Sequence, residues 1–105
     1  MLWWQGCPSW GRALGELRSA MQDSGLDPDA IELHEVPSDA EAERTRFVGS
    51  PTIRIDGRDV QPPGDEPIGL TCRVYRLRDG RFSPTPDPAD VRDALAAAMR
   101  EHSAA

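Results

Sequence analysis

The hydrophobic pattern changes its period along this chain in a definite order, and that order restricts the fold more than any other feature. Leu2 to Gln5 is a short apolar and aromatic run ending at Gly6, as a strand would. Pro8 suits the first turn of a helix, and Ala13, Leu14, Leu17, Ala20 and Met21 then recur at helical spacing. The spacing predicts a helix over Pro8 to Ser24, ended at Gly25 by a left-handed cap. After a turn at Leu26 to Ala30, residues Ile31 to Val36 alternate like a half-buried strand. Ser38 with Glu41 makes a capping box, which starts a second helix over Asp39 to Phe47 that stops at Gly49.

The second half is shorter in period. Thr52 to Ile55 is a β-branched strand, Asp56-Gly57 is a hairpin signal, and Arg58 to Val60 is a short return. A surface loop over Gly64 to Thr71 leads to a further strand at Cys72 to Leu77 and a turn at Asp79-Gly80. Either the return or this later strand can pair with the strand at Ile53. Asp87 caps a last helix with Pro88 in its first turn and Val91, Ala94, Leu95, Ala98 and Met99 along its apolar stripe, and His102 to Ala105 is expected to fray. Strand and helix twice, then a hairpin and a closing helix, predict an α/β architecture. Its centre would be a mixed four-stranded sheet flanked by about three helices on both faces, with the first strand in the middle.

An apolar share of 38% over 105 residues supplies one modest core, so a single domain over 1–105 is expected. No run approaches the roughly 20 apolar residues of a bilayer span, and Met1 to Trp10 does not read as a leader, so a cytoplasmic protein without membrane contact is expected. The net charge of −6, with acidic residues spread along the chain, argues against a nucleic-acid partner. All 12 basic residues are arginines, which carries no functional weight.

Two local motifs carry chemistry. In Gly6-Cys7-Pro8-Ser9-Trp10 a cysteine follows the first strand and precedes the first helix, and in Gly49-Ser50-Pro51-Thr52 a proline stands directly before the third strand. Together with the order of elements, these motifs resemble the thioredoxin and glutaredoxin superfamily. The first looks like its Cys-Pro-aromatic-Cys sequence with Trp10 in place of the second cysteine. The resemblance implies a thioredoxin-like fold and a cis proline at Pro51 beside a reactive Cys7, with Ser50, Pro51, Thr52 and Trp10 binding the substrate.

A thiol at a helix start faces free amides and the positive end of the dipole, so Cys7 is expected to ionise readily and to be alkylated faster than Cys72. Without a cysteine at position 10, three routes remain: a monothiol mechanism resolved by glutathione or another low-molecular-weight thiol, a disulfide with Cys72, or no turnover. No resident cofactor is expected; the partner would be a thiol or disulfide, small or protein. Two other classes compete. One is a non-catalytic adaptor using an aromatic rim of Trp3, Trp4 and Trp10. The other is soft-metal handling by Cys7 and Cys72, in the manner of organomercurial lyases, although no zinc-type ligand spacing exists. His34 and His102 read as solvated, and Asp56-Gly57-Arg58-Asp59 as turn chemistry.

Overall fold

The computed structural model describes residues 1–103, in the order β1 (Leu2–Trp3), α1 (Trp10–Asp23), a 3-10 turn (Pro28–Ala30), β2 (His34–Glu35), α2 (Asp39–Thr45), β3 (Arg54–Ile55), β4 (Arg58–Asp59), β5 (Tyr75–Arg76), β6 (Phe82–Ser83) and α3 (Pro88–Ser103). Ala104 and Ala105, at the end of the segment expected to fray, lie outside the described residues, while His102 belongs to α3.

The helices follow the periodicity. The stripe Ala13, Leu14, Leu17 and Ala20 is buried, and α1 ends as the sequence reading has it. Gly25, at a φ of 75°, donates to Gln22 O while Leu26 N donates to Met21 O, satisfying the last carbonyls of the helix. Ser38 Oγ accepts from Glu41 N at the start of α2. That helix stops three residues earlier than Gly49, because Arg46 takes the left-handed position with a φ of 56°. Phe47 N then donates back to Ala42 O, which carries the wholly buried Phe47 ring into the core. Asp87 caps α3, its Oδ1 accepting from Ala89 N.

The central four-stranded sheet is not formed. Among the described residues there are three separate two-stranded sheets: β1 with β2, parallel, and the antiparallel hairpins β3–β4 and β5–β6. Only two isolated bridges join the extended segments, Leu2 with Thr52, antiparallel, and Ser50 with Cys72, parallel. The fold is a small mixed α/β arrangement with three helices, and the expected thioredoxin-like sheet is corrected accordingly. The reason is local. Pro51 has no amide to give to a ladder, and Ser50 and Thr52 on either side of it pair only as single residues. Its bond to Ser50 is cis, as the resemblance implied. At the other end, β1 runs straight into a turn in which Cys7 N donates to Trp4 O.

Alternation along the first residues divides the core. Met1 and Trp3 face a cluster built from Ala13, Leu14 and Leu17 of α1, Ile53, and Val91 and Leu95 of α3. Leu2 and Trp4 face a second cluster of Val36, Ala42 and Phe47. Helices thus cover both sides of β1. No helix among the described residues is long and apolar enough to cross a membrane.

A candidate thiol pair held at Ser50

Three segments distant in sequence meet at Ser50. Ser50 N donates to Thr71 O, and Arg73 N donates to Ser50 O, so the residue between them, Cys72, stands directly beside Ser50. On its other side the Cys7 thiol donates to the same Ser50 carbonyl across 3.4 Å. Ser50 Oγ meanwhile accepts from Trp4 N, fixing the turn that carries Cys7. One buried serine therefore positions both cysteines. Both are free thiols, Cys7 buried with 1% of its surface exposed and Cys72 exposed.

Cys72 is pushed up to about 11, first by hydrogen bonding with Cys7, then by partial desolvation, then by the charge that Cys7 carries when ionised. Cys7 does not sit at the helix start as expected. It precedes the N-cap, Ser9, by two residues, and the partner its sulfur finds is the Ser50 carbonyl rather than a helical amide.

Ser50, Pro51 and Thr52, expected to bind substrate, are all buried, and their polar groups are used internally. Thr52 Oγ1 donates to Gly49 O at 2.7 Å, and Tyr75 Oη donates to Pro51 O. Burial holds the Tyr75 phenol well above its usual range. Trp10 stacks on Trp3 with ring centroids 4.3 Å apart and packs against the α1–α3 core, so the aromatic rim is largely internal packing. Trp4 lies over Gly6, where an added Cβ would meet its ring at 2.3 Å. Of the residues the sequence singled out, the structure brings together Cys7, Ser50, Pro51, Thr52 and Cys72.

The clamp behind them was not anticipated. Arg73, next to Cys72, forms a bidentate ion pair with Asp59, at 2.7 and 3.0 Å, with both side chains more than nine-tenths buried. The same guanidinium donates to Thr52 Oγ1 and Gln61 O and lies over the Tyr75 ring, 4.4 Å from its centroid. It fastens the strand bearing Cys72 to the segment against which Cys7 rests. Gly49 makes the approach possible: its φ is 141°, and a Cβ there would lie 2.9 Å from Arg73 Cα.

Other features lie elsewhere. A cavity of about 960 Å³ opens between α1, the 3-10 turn, α3 and the β3–β4 turn, and neither cysteine lines it. His34 pairs with Glu41 and His102 with Asp56, both at the surface. No group of three or more His, Cys, Asp or Glu side chains able to hold a metal ion occurs among the described residues. Compared with protein-family models, curated proteins and solved structures, the chain finds no match.

Proposed function

We propose that this chain is a thiol-dependent redox protein in which Cys7 and Cys72 act as one dithiol–disulfide couple. The observation that carries the reading is the convergence of both cysteines on Ser50. Of the three routes open after Trp10 replaces the usual second cysteine, this favours the bridge to Cys72 over the monothiol route.

The exposures support one order of events. An incoming disulfide meets Cys72 first: the Cys72 sulfur bonds to one sulfur of the oxidant, the oxidant's S–S bond breaks, and its other half leaves as a thiol. Cys7 then attacks the Cys72 sulfur, gives up its proton and expels the second half. The protein loses two hydrogens and the oxidant becomes two thiols. Glutathione disulfide suffices as oxidant, and glutathione or another low-molecular-weight thiol returns the couple to its reduced form. A cytosolic location fits this chemistry, because the thiol pool there keeps both cysteines reduced at rest.

Mass spectrometry after treatment with glutathione disulfide and an acid quench tests the reading. The wild type is expected to yield an internal disulfide, Cys7→Ser to stop at a glutathione adduct on Cys72, and folded Cys72→Ser to remain unmodified. A wild type that accumulates only adduct overturns the couple. A wild type that reacts with nothing supports instead a binding module without turnover, the reading favoured by the burial of Cys7.

A further inference from the structure

Beyond Cys72 the chain alternates strictly between inside and outside. Arg73 and Tyr75 are buried, while Cys72, Val74 and Arg76 are exposed, so these three share the outer face of the hairpin that β5 makes with β6. The register sets Phe82 opposite Arg76 and, continued by one step, Pro84 opposite Val74. Val74 is 65% exposed and Phe82 73%, an unusual placing for two large apolar side chains on one small hairpin. Arg76 completes the row. Its neighbours Arg78 and Arg81 pair with Asp90, Asp93 and Asp79, whereas the Arg76 guanidinium has no acidic partner among the described residues. In a chain of net charge −6, this face pairs a reactive thiol with apolar surface and an uncompensated cation.

We infer that the couple's disulfide substrate is an extended protein segment, with an apolar side chain and then an acidic one beside its cysteine, docking on the outer face of the β5–β6 hairpin. The inference rests on the dithiol reading and names its substrate class. An extended segment repeats its side chains every second residue at the spacing of the row itself, about 6.6 Å. Cysteine, an apolar residue two positions on and a carboxylate two positions further on therefore meet Cys72, Val74 with Phe82 diagonally across from it, and Arg76 in turn. Glutathione disulfide has no side chain to offer Val74 or Phe82. Exchange proceeds as for any disulfide: Cys72 sulfur bonds to the substrate cysteine, the substrate's S–S bond breaks, and its former partner leaves as a thiolate.

Mixed disulfides with thionitrobenzoate, whose release is coloured, give the test on the full chain at one fixed pH. The probes are glutathione, a Cys-Gly-Leu-Gly-Glu peptide, and the same peptide with Lys in place of Glu. Burying the leucine and pairing the carboxylate are expected to make the Glu peptide react at least about tenfold faster than glutathione. Phe82→Ser is expected to remove that advantage while leaving the glutathione rate unchanged, and Arg76→Glu to reverse the preference between the two peptides. Both positions are exposed, so the variants fold, which thermal unfolding checks. Equal rates for all probes in the wild type, or an unchanged Glu-peptide rate in Phe82→Ser, overturn the docking face while leaving the couple intact. A self-association that Phe82→Ser abolishes assigns the face to a second copy and also overturns it. Release from no probe at all sinks the underlying thiol reading instead.

Discussion

The neighbouring Cys7 thiol pushes the Cys72 thiol up, and the shift sets a pH profile. A thiol whose proton is stabilised ionises only at higher pH, and the thiolate is the form that reacts. With Cys72 raised to about 11, its alkylation by iodoacetamide is expected to climb roughly tenfold per pH unit from neutrality and level off only near that value. Removing the cause must move the curve the other way. In Cys7→Ala, which leaves no hydrogen-bonding group there, the levelling is expected at lower pH, towards the ordinary cysteine range, and a curve that stays where it was would exclude Cys7 as the cause. At this scale Cys7 and Pro51 were legible in the sequence, because each lies in a local motif. The place of Cys72 beside Ser50 was left open, since a cysteine in an extended segment carries no mark of which residue it will face. The Arg73–Asp59 pair was not legible: arginine and aspartate 14 positions apart look like any two surface charges until the fold buries both. That Cys7 is buried and Cys72 exposed was hidden for a related reason, as exposure is a property of the whole packing and not of the Cys-Pro motif.

Among the elements, α2 shows how packing overrides the obvious stop signal. Gly49 is the residue best suited to end the helix, yet Arg46 adopts the left-handed conformation instead, because the chain must turn there to bury Phe47. Gly49 is used for a different purpose, the close approach to Arg73. An arginine in the left-handed region is strained by its Cβ, so Arg46→Gly is expected to stabilise the protein by about 0.5–1 kcal/mol, after the added freedom of the unfolded chain is subtracted. Urea unfolding checks this, and a loss of stability would mean that the Arg46 side chain contributes more than its backbone costs. The helices were legible to within a few residues because each carries its own period and its own caps. The four-stranded sheet was a misreading of a different kind of signal. Alternation shows that Thr52 to Ile55 is extended, but pairing is decided by whatever lies alongside: Arg54 and Ile55 pair with β4, while Ser50 and Thr52, on either side of Pro51, make only single-residue bridges where a central ladder was expected.

For the molecule as a whole, the site depends on bringing residues 1–7, 49–53 and 71–73 to one point, with a core split between two faces of β1 supporting it. The convergence of Cys7 and Cys72 on Ser50 also bears on stability. A covalent bridge between positions 7 and 72 would close a loop of about 65 residues, and removing that freedom from the unfolded chain stabilises the folded one by about 4 kcal/mol in the chain-entropy description. The oxidised protein is therefore expected to unfold at a clearly higher urea concentration than the reduced one, and coincident midpoints would mean that no such loop is closed. Thermodynamic linkage makes the relation run both ways. The free energy that the bridge contributes to the fold is the free energy by which the fold resists its reduction, equivalent to about 90 mV for this two-electron couple. A reductant only just strong enough to open the same pair of cysteines in an unfolded chain would leave it closed in the folded protein.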